Sequence, residues 1–170
     1  MRCLILIFLT VCAMTVHANS LERIGLPNLI LLGEGRLTVL FWDIYDARLY
    51  VADGSYDPEK PFALSLNYLR GFSGSDITKR SIEEMRKQGL GDESVLVSWQ
   101  TELGRIFPDV VEGDEIIGVS HPSEGARFFL NDSLIGTITD QNLSRQFFDI
   151  WLSEKTSEPE MRELLMRIGR

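Results

Sequence analysis

The clearest structural signal in this chain is the segment Arg36-Leu-Thr-Val-Leu-Phe-Trp-Asp-Ile-Tyr-Asp-Ala-Arg-Leu-Tyr-Val51. Its aromatic and β-branched residues favour strands over a loop. It is too short, and too often interrupted by charged residues, to cross a membrane. We therefore predict strands over Arg36–Phe41 and Trp42–Val51, which form either a hairpin or one long bent strand.

The segments on either side of this stretch also have strand patterns. Leu29–Leu32 is predicted to be a buried strand, and Gly33 and Gly35 are predicted to form a turn at Glu34. Phe62–Leu69 alternates, so that its even-numbered residues face one way and its odd-numbered residues face the other.

The rest of the chain alternates between groups of helices and groups of strands. Helices are predicted from Ser73 or Ser75 to Gln88 and over Glu93–Phe107, Asp140–Trp151 and Ser157–Ile168, and strands over Glu115–His121, Ala126–Leu130 and Leu134–Thr139. Ser73 or Ser75 is expected to cap the first helix, and Ser157-Glu-Pro-Glu160 is expected to form a capping box. Segregated groups of this kind indicate an α+β fold, with one antiparallel sheet and helices on one face.

The first eighteen residues have the pattern of a secretory signal peptide. Arg2 precedes an apolar run of about 14 residues, which is shorter than the roughly 20 that a spanning helix needs. We predict cleavage after Ala18, because small or medium residues precede it, with no transmembrane segment after cleavage. The alternatives are an uncleaved anchor and a lipoprotein with lipid attached at Cys12. Cleavage predicts a periplasmic or secreted protein with a single domain over 19–170.

Composition narrows the classes of function. Both cysteines, Cys3 and Cys12, lie in the predicted signal peptide, so the mature chain would have no disulfide, Cys-ligated metal or Cys nucleophile. His121 would be its only histidine, and we interpret it as a surface loop residue. Loss of Arg2 changes the formal net charge from −8 to −9, which disfavours binding to nucleic acid. We predict no metal site and no cofactor.

Several motifs, in order, resemble the chalcone isomerase-like family. Phe41-Trp-Asp-Ile-Tyr-Asp-Ala-Arg-Leu-Tyr50 looks like the family's strand motif, and Ser75-Asp76 opens a helix after an alternating strand. Leu134-Ile-Gly-Thr-Ile-Thr-Asp140 then precedes Phe147-Phe-Asp-Ile-Trp-Leu152, followed by Ser157-Glu-Pro159. The resemblance covers roughly residues 29–165. It implies an open-faced β-sandwich, in which helices pack on a large antiparallel sheet.

The family that the chain resembles has an enzymatic branch and a branch that binds fatty acids. The enzymes use an arginine, a strand threonine, a tyrosine near the start of the first helix and polar contacts from later helices. By this resemblance the arginine corresponds to Arg36 and the threonine to Tyr45. The helix tyrosine falls near Ile77 and a later polar contact falls near Ile150, and neither isoleucine donates a hydrogen bond. The resemblance therefore implies the exported bacterial, non-catalytic branch, with no catalytic residues.

Three side chains are the candidate ligand-binding residues. Arg36 offers paired donors for a carboxylate; the alternative is an exposed arginine at a strand end beside Glu34. Tyr45 supplies a second donor; the alternative is a core tyrosine bonded to the backbone. Tyr68 either lines the same cavity or packs in the core.

We therefore expect an exported, non-catalytic protein that binds a small amphipathic ligand such as a fatty acid. Its head would contact Arg36 and Tyr45, and its tail would lie between the sheet and the helices. The alternatives are an isomerase or lyase acting on an unknown substrate, and a protein-interaction module without a small ligand.

Overall fold

The computed structural model describes residues 20–24, 26 and 28–169. The strands are β1 (Ile30–Val39), β2 (Trp42–Val51), β3 (Phe62–Tyr68), β4 (Glu115–His121), β5 (Gly125–Leu130) and β6 (Ser133–Ile138). The helices are α1 (Ser20–Arg23), α2 (Gly74–Lys87), α3 (Glu93–Ile106), α4 (Gln141–Leu152) and α5 (Pro159–Met166). Within these residues, no helix is long and apolar enough to span a bilayer. The predicted signal peptide lies outside the described residues.

All six strands form one antiparallel sheet in the order β1-β2-β3-β4-β5-β6. Each strand therefore pairs with its neighbour in the chain, and the helix pair α2–α3 is the connection between β3 and β4. Helices α2 to α5 pack on one face of this sheet. The predicted α+β class is confirmed, with one antiparallel sheet and the four longer helices on one face.

The first two strands form a hairpin, which settles the alternative left open by the sequence. Val39 pairs with Trp42, and Leu40 and Phe41 connect the strands. The predicted turn at Glu34 is wrong, because Gly33 and Gly35 both lie inside β1.

These glycines are required by a neighbouring helix rather than by a turn. A Cβ atom on Gly33 would lie 2.3 Å from the carbonyl oxygen of Leu164 and 2.4 Å from that of Leu165, both in α5. On Gly35 it would lie 2.9 Å from a side-chain atom of Leu164. Glycine thus lets the backbone of α5 approach β1 closely.

The main core lies between the sheet and the helices. The side chains Phe62, Leu64, Leu66 and Tyr68 all belong to it, as the alternation of β3 predicted. Trp99 and Trp151 are also buried there. A smaller apolar cluster lies on the other face, where Leu21 of α1 packs with residues of β2, β3 and β4.

Three of the four long helices begin as their sequences predict. The side chains of Ser73, Asp92 and Asp140 accept hydrogen bonds from backbone N–H groups at the starts of α2, α3 and α4. The capping box predicted for α5 is absent, because Glu158 is the N-cap and makes no side-chain cap. The Ser157 hydroxyl donates to Glu84 instead.

The Glu84 carboxylate joins α2 to the segment that leads into α5. Its side chain is only 4% exposed and accepts from Ser157 Oγ at 2.6 Å, Lys87 Nζ at 2.9 Å and Arg80 Nη2 at 2.7 Å. Burial raises the pKa of Glu84, but the hydrogen bonds from Ser157 and Lys87 and the charge of Arg80 outweigh it. The net pKa is lowered.

We expect Gly33→Ala to lower the free energy of unfolding by about 1–3 kcal/mol, because the added methyl group must displace the backbone of α5. Urea denaturation measures this. Gly91→Ala is the matched control, since nothing lies within 4 Å of a Cβ there. Equal stability of the two variants would contradict the close approach.

We expect Glu84→Gln to destabilise the protein at neutral pH by roughly 1–3 kcal/mol, because hydrogen bonds to a charged group are lost. The folded-state pKa of Glu84 lies below its ordinary value of 4.5. Its stabilisation is therefore complete above that pH and is lost as pH falls through the folded-state pKa.

Thermal unfolding of Glu84→Gln and of the native protein between neutral and acid pH tests this, and the two curves should converge in acid. Glu93→Gln is the control, because it breaks an ion pair with Arg86 in which both side chains are exposed to solvent. A Glu84→Gln effect that does not change with pH would refute the assignment.

Candidate functional site

A cavity of about 360 Å³ opens between the sheet and helices α2 and α4. Its walls are mainly apolar and include Leu37, Leu66, Phe72 and Phe147. The side chains of Tyr45 and Tyr68 are part of this lining, so we call the cavity the two-tyrosine pocket. A cavity with mainly apolar walls and a few polar groups is the usual form of a small-molecule binding site.

Tyr45 is held in the pocket by a hydrogen bond to α4. Its hydroxyl oxygen accepts from Trp151 Nε1 at 2.9 Å. Burial raises the pKa of Tyr45 far above its usual value, although the Trp151 bond acts in the opposite direction. The phenol therefore keeps its proton at neutral pH and has an O–H group to donate.

Tyr68 lies directly opposite Tyr45 on the neighbouring strand. The two rings meet edge to face, with their centroids 6.0 Å apart. No described residue forms a hydrogen bond with the Tyr68 hydroxyl, and burial raises its pKa. A second phenol thus lines the pocket with an unused donor.

Arg36 does not lie in the pocket. It pairs across the hairpin with Asp46, whereas its neighbour Leu37 pairs with Tyr45. Successive side chains of a strand point to opposite faces, so Arg36 and Tyr45 lie on opposite faces of the sheet. The expectation that they meet at one ligand head is corrected here.

On the outer face, Arg36 has partners within the hairpin. Its Nε atom donates to Asp46 Oδ1 at 2.6 Å and its Nη1 atom donates to Asp43 Oδ2 at 3.0 Å. The side chain is half exposed. Arg36 is therefore an exposed arginine, as the alternative interpretation predicted. Its partners are these two aspartates, whereas Glu34 pairs with Arg48.

The cation at the rim of the pocket is Arg80, which the sequence analysis missed. Its side chain is 57% exposed and one amino group contacts Glu84. Helical spacing could have identified it, because residues three, four and seven positions after Ile77 share that residue's face. Those residues are Arg80, Ser81 and Glu84, and all of them line the pocket.

Ile77 and Ile150 also line the two-tyrosine pocket. These are the positions at which the resemblance implies polar contacts in enzymes. The pocket wall is therefore apolar at both points.

His121 lies elsewhere, beside a separate and more polar cavity of about 280 Å³. It is partly exposed at the end of β4, and its Nδ1 atom lies 3.0 Å from Ser123 Oγ in the following loop. Its position agrees with a surface histidine. Among the described residues, no group of three acidic or histidine side chains is arranged to hold a metal ion.

The crystal structure of a fatty-acid binding protein from Arabidopsis thaliana has a similar fold. The TM-score is 0.62 at 13% sequence identity, over 82% of this chain and 87% of that chain. A search of the curated proteins found no similar sequence.

The family comparison agrees with this fold and with the motifs in the sequence. Residues 14–166 match the model of a family described as chalcone isomerase-like. That range includes every strand, the walls of the two-tyrosine pocket and all helices from α1 to α5. This chain therefore belongs to the chalcone isomerase-like family.

Proposed function

We propose that this protein is an exported, non-catalytic binding protein for a small amphipathic ligand such as a fatty acid. The ligand occupies the two-tyrosine pocket, with its polar head near the phenols and Arg80. Export follows from the predicted signal peptide cleaved after Ala18, which would deliver the domain to the periplasm or the exterior. The observation that carries the proposal is an open apolar pocket that contains two protonated phenols.

The size and lining of the pocket support a small ligand. Ligand sites usually enclose about 300–1,000 Å³, so a cavity of about 360 Å³ lies near the lower end of that range. Its walls offer apolar contacts to a hydrocarbon tail from Leu66, Phe72 and Phe147. The fatty-acid binding protein with a similar fold is consistent with a ligand of this class.

The polar groups favour a head that accepts hydrogen bonds. Tyr45 and Tyr68 keep their protons at neutral pH and therefore act as donors rather than as bases. Arg80 adds a positive charge at the rim, with one amino group engaged by Glu84 and its remaining donors engaged by no described side chain. A carboxylate fits such a set of donors.

Two features of the pocket favour ligand binding without catalysis. Ile77 and Ile150 supply no donor at the points where the enzymes of the family have polar contacts, and losing one such donor typically costs about 10² to 10³ in rate. Glu84, the most buried carboxylate at the pocket, is engaged by Ser157, Lys87 and Arg80. It is therefore poorly placed to act as a base.

Mass spectrometry of organic extracts from the purified protein tests the proposal. We expect a fatty acid or a related amphiphile in stoichiometric amount. The same ligand should be recovered unchanged after long incubation with the delipidated protein. A converted product would favour the isomerase or lyase alternative, and an empty pocket that takes up no labelled fatty acid would favour an interaction module.

We expect Tyr68→Phe to weaken binding of a fluorescent fatty acid several-fold, because one neutral hydrogen bond contributes about 1 kcal/mol. Tyr56→Phe is the matched control, since Tyr56 lines the other cavity. Displacement titration gives both affinities. Equal loss in the two variants would place the ligand outside the two-tyrosine pocket.

We expect Arg80→Gln to weaken fatty-acid binding by about 10- to 100-fold, because a charge-assisted hydrogen bond is lost. Arg36→Gln should leave the affinity unchanged, because Arg36 lies on the outer face of the sheet. The same titration compares the two. Weakening by Arg36→Gln alone would restore Arg36 as the anchor and overturn the role of Arg80.

A further inference from the structure

The connection between β1 and β2 exposes four consecutive apolar residues. The exposed fractions are 45% for Val39, 85% for Leu40, 95% for Phe41 and 60% for Trp42. We call these four residues the hairpin tip. Scattered exposed apolar residues are ordinary, but a contiguous group at a projecting turn marks a contact site.

The local backbone does not require apolar residues at this turn. Leu40 has a φ of 58°, a left-handed conformation that asparagine and glycine adopt more easily than leucine. A sequence chosen for the turn alone would have one of those residues. Leucine at this position therefore has a cost in the free protein, both in backbone conformation and in exposed apolar surface, that a contact would offset.

Polar groups behind the tip have an arrangement suited to the surface of a bilayer. The guanidinium carbon of Arg70 lies 4.6 Å from the centre of the Trp42 ring, and Arg70 forms no ion pair with any other described residue. The nearby Asp43 carboxylate is engaged by Arg36 and Thr38. Tryptophan favours the interface between lipid tails and head groups, and the Arg70 guanidinium behind it, which no described carboxylate neutralises, is placed to meet phosphates.

The tip is continuous with the two-tyrosine pocket. Val39 belongs both to the tip and to the pocket wall, and Leu37 and Ile44 extend that wall along the two strands. When the tip is buried in an apolar medium, the part of the pocket wall formed by Val39 lies beside that medium.

A lipid surface fits this element better than a protein does. A typical protein partner contacts about 20–30 residues, and the tip offers four. Lipid tails need no matching shape, so a few projecting apolar residues suffice for reversible insertion. We propose that the hairpin tip inserts into a lipid surface and holds the mouth of the two-tyrosine pocket against it.

Insertion of the tip must depend on apolar contact more than on charge. The chain has a formal net charge of −8, so anionic lipids repel the protein as a whole. We therefore expect binding to phosphatidylcholine vesicles to persist at high salt, and added phosphatidylglycerol to strengthen it little. Docking does not require an occupied pocket, so it can be tested separately from the proposed function.

Flotation with phosphatidylcholine vesicles tests the docking. We expect the native protein to float with the vesicles and the variant Leu40→Asn with Phe41→Ser to bind at least about tenfold less, because two large apolar side chains are lost. Val97→Ser with Leu134→Ser is the matched control and should bind as the native protein does. Val97 and Leu134 are 60% and 57% exposed. Val97 lies in α3 and Leu134 in β6, at the edge of the sheet opposite the β1–β2 hairpin.

Fluorescence gives a second readout in the unaltered protein. Trp42 is exposed whereas Trp99 and Trp151 are buried, so lipids brominated on their tails should quench Trp42 selectively. Trp42→Phe should abolish most of this quenching while flotation persists. The proposal is overturned if the native protein does not float, if the tip variant floats equally well, or if the tip instead supports dimerisation in the absence of vesicles.

Discussion

The pairing register of β1 with β2 determines which side chains can reach a ligand. Because Leu37 lies opposite Tyr45, and Arg36 lies opposite Asp46, Leu37 and Tyr45 face the helices whereas Arg36 and Asp46 face outward. A shift of one residue would exchange these two sets completely. The cross-strand ion pairs between Arg36 and Asp46 and between Arg48 and Glu34 are compatible only with the observed register.

The helices form the remaining walls of the pocket, opposite the strand residues that this register turns toward them. α4 places Trp151 against Tyr45, and α2 places Arg80 and Glu84 at the rim. Glu84 also ties α2 to Ser157, just ahead of α5, and α5 in turn lies against β1 at Gly33. The rim of the pocket is therefore part of the same set of contacts that closes the fold, so a ligand would meet a preformed site.

Local signals in the sequence were sufficient for most of the architecture. The sequence correctly predicted the alternation of β3, the cap at Asp140 and the bounds of β4, because each depends on neighbours along the chain. It limited the cap of α2 to Ser73 or Ser75, of which the structure uses Ser73. The prediction of a turn at Gly33 was wrong because glycine is required there by close contact with α5, which lies more than a hundred residues later in the sequence. The site was harder to predict, since the face on which Arg36 lies depends on a register that composition does not reveal. Arg80 was not predicted, because a half-exposed arginine on a helix resembles any solvated charge until the packing of α2 beside the pocket is known.

The hydrogen bond from Trp151 to Tyr45 links two residues that are distant in sequence and come from opposite layers. If Tyr45 alone changed to phenylalanine, the indole N–H group would lose its acceptor in a largely apolar setting, which is unfavourable. If Trp151 alone changed to phenylalanine, the pocket would gain volume and lose a fixed wall. Relatives of this protein should therefore change the residues at positions 45 and 151 together, and a relative in which both have changed has a pocket shaped for a different ligand.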